Sequence, residues 1–198
     1  MEPVKKIIIS IIIYGIFLTI LVLFLKSVIS WDVALFYLIN SLSNPYLMLA
    51  FNIITYLGSS LFWILLIILF WLDKKRKMSL HLLYALVLNI ISIFILKSIF
   101  ARPRPFPTYE QDIIDTGYSF PSGHSQMVFS GAFVLSRFYS KYRIIFYVLA
   151  ALTAFSRIYI GVHYPLDALV GSLNGLMVGM ISLALPTQRI EKFFRKLK

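Results

Sequence analysis

Two histidines, a carboxylate and a handful of cations stand out in a chain that is otherwise strongly apolar. His163 and Asp167 lie four residues apart in "SRIYIGVHYPLD", so on one helical turn the carboxylate can fix the imidazole tautomer and stabilise its cation. Pro165 between them is tolerated because it falls in the first turn of a helix, where its missing N–H costs nothing. A second histidine, His124, closes the quartet Pro121, Ser122, Gly123, His124 in "YSFPSGHSQM". Ser122 and Gly123 are small residues ahead of a helix, where backbone N–H groups can approach an anion at the positive end of the helix dipole. Lys97, Arg102 and Arg104 crowd the proline-punctuated stretch "ILKSIFARPRPFP", and Arg157 precedes His163 in the chain. Arginine forks match phosphate oxygens and lysine supplies a point charge. Cations facing two histidines and a carboxylate make an anion site with acid/base capacity, and a tetrahedral phosphate fits it best. Taken singly, each residue has a plainer reading. A histidine at a helix end caps or sits at the surface, Lys97 and Arg157 snorkel, Pro121 to Gly123 form a turn, and Asp167 is a helix N-terminal acid. Those readings would all have to hold at once, on one face of the molecule.

The elements that bring these residues together are membrane helices. Of 198 residues, 60% are hydrophobic and 14% charged, with a mean hydropathy of +0.85, which no ordinary soluble domain shows. Apolar runs recur at about Ile7 to Leu25, Leu47 to Leu72, Leu80 to Phe100, Gln126 to Phe138, Ile144 to Phe155 and Leu166 to Leu185. The fourth and fifth reach a hydrocarbon thickness of about 30 Å only when their flanks, Ser122 to Tyr139 and Tyr142 to Ile160, are counted. The expectation is an all-α membrane protein, one domain over residues 1–198, built as a six-transmembrane-helix bundle. Lys5 and Lys6 precede the first run, but no small-residue cleavage pattern follows it, so it is expected to be a helix of the mature chain. There is no cysteine, which removes disulfide and thiolate–metal frameworks.

Six spans put the amino terminus, the second and fourth connections and the carboxyl terminus on one side, with fourteen of the 19 basic residues. The positive-inside rule makes that side cytoplasmic. The net charge of +11 is then mainly a topology signal, and no nucleic-acid partner is expected. The tail "RIEKFFRKLK" reads as flanking charge, with an interfacial helix as the alternative. The five remaining cations are Lys26, Lys97, Arg102, Arg104 and Arg157, and four of them sit beside the histidines and the carboxylate. The site is therefore expected at the extracytoplasmic ends of helices 3 to 6. His81, on the cytoplasmic flank, is expected at the interface. Tyr109, Glu110, Asp112 and Asp115 lie in the loop between motifs and read as solvated.

"KSIFARPRP" (Lys97 to Pro105), "PSGH" (Pro121 to His124) and "SRIYIGVHYPLD" (Ser156 to Asp167) resemble the three signature motifs of the phosphatidic-acid-phosphatase type 2 superfamily of integral membrane lipid phosphatases. All three are complete and in order, within residues 97–167. The resemblance implies a metal-independent hydrolase that needs no cofactor. In it His163 attacks phosphorus to form a phosphohistidine, and Asp167 orients and activates it. His124 protonates the leaving oxygen and then activates water. Lys97, Arg104, Ser122, Gly123 and Arg157 hold the phosphoryl oxygens. Arg102 falls outside the motif, and its role is left open. The partners implied are the lipid bilayer and a membrane lipid phosphate. Among similar compact members the leading substrate is a polyprenyl (undecaprenyl-type) diphosphate on the outer face of the plasma membrane, with phosphatidylglycerophosphate and phosphatidic acid close behind. A noncatalytic phospholipid-binding or transport protein is the reading from another class. It does not explain a pair of histidines, since holding a phosphate requires neither nucleophile nor acid.

Overall fold

The computed structural model describes residues 2–106 and 117–188. The loop acids Glu110, Asp112 and Asp115, with Tyr109, and the basic tail from Arg189 onward lie outside the described residues. Seven α-helices follow one another, with no strand among the described residues: α1 (Glu2–Ser41), α2 (Pro45–Ile54), α3 (Ser60–Leu72), α4 (Arg76–Phe100), α5 (Gly123–Phe138), α6 (Arg143–Tyr159) and α7 (Pro165–Ala184). Large apolar side chains stay exposed along α1, α3, α4, α6 and α7, as expected where the outer solvent is lipid. Among the described residues, three helical segments are long and apolar enough to cross a membrane: Arg76–Phe100, Ser140–Tyr159 and Pro165–Ala184. A fourth is added if the bent pair Ser30–Ser41 and Pro45–Gly58, which meet at 117°, counts as one.

Two helices depart from the apolar runs that foretold them. α1 continues far beyond Leu25 because residues 26–41 contain no glycine or proline to stop it. It ends before Asn44, whose side chain accepts from Leu47 N at 3.0 Å and caps α2. The run from Leu47 to Leu72 is broken into α2, a 3-10 turn (Thr55–Gly58) and α3. Ser59 restarts the helix by accepting from Phe62 N at 3.3 Å, so the serine hydroxyl competes locally with continuous helix.

The centre of the bundle is α5, packed most extensively on α7 and then on α6. Gly171, Gly175 and Gly179 form a smooth ridge on α7 that lies against α5. A Cβ at Gly175 would come within 2.2 Å of Gln126 O, and one at Gly171 within 2.4 Å of Ser122 O. Small residues every fourth position let two helix backbones approach this closely. Polar side chains lock the same helices together at mid-depth. Gln126 Nε2 donates to Asn89 Oδ1 at 2.9 Å and to Ser92 Oγ at 2.6 Å on α4, and Gln126 Oε1 accepts from Asn174 on α7. Asn89 Nδ2 donates to Ser130 Oγ at 2.6 Å. Each buried amide finds a side-chain partner where water is absent.

At one end of the bundle the α3–α4 turn meets the α5–α6 turn, with Lys75 over the Tyr139 ring at 5.6 Å. At that end His81 is buried rather than interfacial. Its Nδ1 lies 2.8 Å from Ser182 O, and its ring packs beside Phe138. The opposite end holds the candidate site residues.

Candidate active site

Three stretches distant in sequence close the site end: the C-terminus of α4 with the loop after it, the start of α5, and the α6–α7 turn. Ser122 fixes the second of these. Its Oγ accepts from Ser125 N at 3.4 Å and Ser125 Oγ at 3.0 Å, capping α5, and its N–H donates to Asp167 O at 2.9 Å. In both side-chain contacts the serine oxygen accepts, so its own proton stays available to an anion. The amides of Gly123 and His124, at the start of the helix, have no acceptor within it and add donors beside that hydroxyl. Gly123, the first residue of α5, packs its open side on Ile93, where a Cβ would sit 3.4 Å from Ile93 Cδ1. His124 is 7% exposed and lies directly under Gly58, where a Cβ would stand 2.7 Å from that of His124.

His163 occupies the turn between α6 and α7, its N–H and that of Val162 both donating to Arg157 O at 3.2 Å. Gly161, with φ +91°, makes this reversal possible. Asp167 is fully buried on the first turn of α7. Its Oδ2 lies 3.6 Å from His163 Nδ1 and accepts from Tyr164 N at 2.8 Å. Ser119 Oγ donates to the same Oδ2 and lies 3.4 Å from His163 Nδ1. The carboxylate and Ser119 thus flank one ring nitrogen and leave the other edge of the imidazole for substrate.

Lys97, in the last turn of α4, is 3% exposed and Arg157 4% exposed. Arg157 Nη1 donates to Thr55 Oγ1 at 2.7 Å, and Arg104 Nη1 to Val162 O at 3.3 Å. Burial pushes the His163 imidazole well below its ordinary range, and Arg157, Arg104, Lys97 and His124 reinforce that shift. The predicted nucleophile, the predicted acid and the three predicted phosphate-binding cations therefore share one electrostatic environment.

Five contributors escaped the sequence analysis. Ser119 and Tyr164 hold Asp167, Thr55 holds Arg157, Gly58 makes room for His124, and Asp32 of α1 reaches the site through Arg102, with Arg102 Nη2 at 2.6 Å from its Oδ2. Only Asp32 left a clear sign: it is a lone acid inside an apolar run, and such a residue marks function by default. The others are small or aromatic residues with no pattern of their own.

The sequence profile of the PAP2 superfamily matches residues 79–191, more than half of the chain and all three site stretches. The chain belongs to the PAP2 superfamily. An undecaprenyl-diphosphatase from Sulfolobus acidocaldarius is 32% identical over 177 residues, covering 84% of this chain and 86% of that one. Among solved PAP2 structures, Aquifex aeolicus LpxE is 36% identical with a TM-score of 0.67, covering 77% of this chain and 94% of that one. The Bacillus subtilis PAP2-type phosphatidylglycerolphosphate phosphatase is 27% identical with the same TM-score, covering 96% and 97%. This PAP2 protein is an integral membrane hydrolase of the lipid phosphatase type.

Proposed function

We propose that the chain dephosphorylates a polyprenyl diphosphate of the undecaprenyl type to the monophosphate, through a phosphohistidine on His163. The observation that carries this is the buried His163–Asp167 pair set beneath the cations Lys97, Arg104 and Arg157. The substrate class rests on the Sulfolobus relative and on a site at one end of a lipid-embedded bundle, where a headgroup can arrive sideways from the bilayer.

His163 attacks the terminal phosphorus with its unprotonated nitrogen, forming the N–P bond while the bridging P–O bond breaks. His124 gives its proton to the leaving lipid phosphate. The positive charge on the ring is stabilised by Asp167. Water, deprotonated by His124, then attacks phosphorus, the N–P bond breaks, and orthophosphate leaves. Lys97, Arg104, Arg157, Ser122 and the first amides of α5, from Gly123, hold the three equatorial oxygens as charge builds on them. Arg102 is not placed among the phosphate-binding groups. Six membrane crossings are assigned, the second within the apolar run from Leu47 to Leu72, both termini in the cytoplasm and the site on the extracytoplasmic side of the plasma membrane. The fourteen cations of the opposite side support that orientation.

The test is phosphate release by purified protein in detergent with EDTA, across polyprenyl diphosphate, phosphatidylglycerophosphate, phosphatidic acid and a soluble phosphomonoester. The expected result is fastest release from the polyprenyl diphosphate, undiminished by EDTA, inhibited by orthovanadate and abolished in His163→Ala. Preference for a glycerolipid would replace the substrate and keep the mechanism, while inhibition by EDTA would overturn the metal-free reading.

A further inference from the structure

Arg102 has no task in the mechanism above, yet it is among the most firmly held side chains in the molecule. Its Nη1 meets Asp167 Oδ1 at 2.8 Å and its Nη2 meets Asp32 Oδ2 at 2.6 Å, with side-chain exposures of 13%, 0% and 2% for Arg102, Asp167 and Asp32. The guanidinium carbon Cζ lies over the Tyr164 ring, 3.8 Å from its centroid. Its backbone carbonyl is fixed by Ser119 N–H at 2.7 Å. With a carboxylate on each terminal nitrogen and a ring on one face, Arg102 is turned away from phosphate and toward the carboxylate behind His163. Asp32 is equally committed, since its Oδ1 accepts from Leu166 N at 2.7 Å, at the start of α7. The Arg102 Nη2–Asp32 Oδ2 contact is a close, buried ion pair.

We propose that Asp32 and Arg102 are positioning residues for the phosphohistidine reaction, acting on His163 through Asp167. The proposal rests on the function proposed above. Arg102 pins one oxygen of Asp167, so that the other stays aimed at His163 Nδ1. Alone, that arginine would also cancel the charge of Asp167, leaving the neighbourhood of the ring neutral just when the ring becomes cationic on attacking phosphorus. Asp32 restores the balance: two carboxylates around one guanidinium leave one negative charge beside the imidazole. Both carboxylates are buried, and a charge beside the imidazole is screened less there than it would be in water. The pairing also ties α1, which carries no signature residue, to the first turn of the helix that carries Asp167.

The experiment measures kcat and KM for polyprenyl diphosphate and for phosphatidic acid, with orthovanadate inhibition and detergent melting temperature, in wild type, Asp32→Asn, Arg102→Gln, the double variant, Arg102→Lys and His163→Ala. Arg102→Gln leaves two buried carboxylates with no cation between them. Its kcat is expected to fall about 10- to 100-fold, the usual cost of removing a group that orients a reacting side chain, with KM and vanadate inhibition nearly unchanged. Adding Asp32→Asn removes that repulsion, so the double variant should be faster than Arg102→Gln alone, and Arg102→Lys should recover part of the rate. Asp32→Asn keeps an oxygen for Leu166 N and loses only charge. It should lower kcat with KM and vanadate inhibition nearly unchanged, and it carries the test if Arg102→Gln does not fold. Losses that simply multiply in the double variant, losses confined to KM, or a lower melting temperature with wild-type kcat would each overturn the proposal. Turnover retained in His163→Ala would overturn the underlying mechanism as well. Turnover lost there but unchanged in Asp32→Asn would overturn this inference alone.

Discussion

His163 can attack phosphorus only while unprotonated, and its surroundings secure that state. Burial and the cations Arg157, Arg104 and Lys97 hold its pKa well below the ordinary value, so the folded protein binds fewer protons at this residue than the unfolded chain does. The sign of the linkage follows: the stability His163 contributes is present above about pH 6.5, the unfolded value, and is lost as pH falls toward the depressed folded value. Wild type should therefore lose melting temperature relative to His163→Ala on going from neutral pH into mild acid. A constant difference between the two across that range would contradict the depressed pKa. Asp167→Asn tests the other member of the pair. The amide keeps the shape but loses the charge that steadies the imidazolium, so kcat should fall on the order of 100-fold or more while orthovanadate still binds. Wild-type kcat in that variant would remove Asp167 from the mechanism. These residues were legible because each signature motif carries its chemistry in one short stretch. Ser119, Thr55 and Asp32 were not, because what they do depends on neighbours 44 to 134 residues away in the chain.

Among the helices, the close pairing of α5 with α7 decides where the site residues stand. Ser122 N–H reaches Asp167 O only because Gly171 lets the two backbones touch there, one helical turn beyond Asp167. A Cβ at Gly175 would meet the backbone oxygen of Gln126 at 2.2 Å, and backbone cannot swing aside as a side chain can. Gly175→Ala is expected to destabilise the bundle by about 1–3 kcal/mol through overpacking, read as a lower melting temperature in detergent, and to reduce turnover as α5 is pushed off α7. An unchanged melting temperature would contradict the close approach. The spacing of Gly171, Gly175 and Gly179 is plain in the sequence, but spacing alone does not say which helix it faces. The break between α2 and α3 was hidden for the opposite reason. Apolar runs measure burial in lipid, and a 3-10 turn as apolar as the helices beside it leaves hydropathy unchanged.

For the whole molecule, the distribution of charge predicts which end faces out of the cell. The chain has no cysteine, so single cysteines report accessibility without background. Tyr118→Cys, at the site end, should react with a membrane-impermeant maleimide on intact cells. Lys75→Cys, in the α3–α4 turn, should react only after permeabilisation, and the reverse pattern would invert the proposed topology. The amino-acid sequence by itself determined the helical membrane class and the superfamily, and it named the candidate residues for the phosphate chemistry, because hydropathy and short-range spacing are local properties of the chain. Only the tertiary structure decided that the second apolar run is two helices meeting the site at a turn. It also decided that the Ser122 hydroxyl builds a helix start, and that Asp32 and Arg102 stand behind Asp167. Those outcomes depend on contacts between distant segments, and such contacts are fixed by packing and by the pairing of buried charge, neither of which is written in any one stretch of the chain.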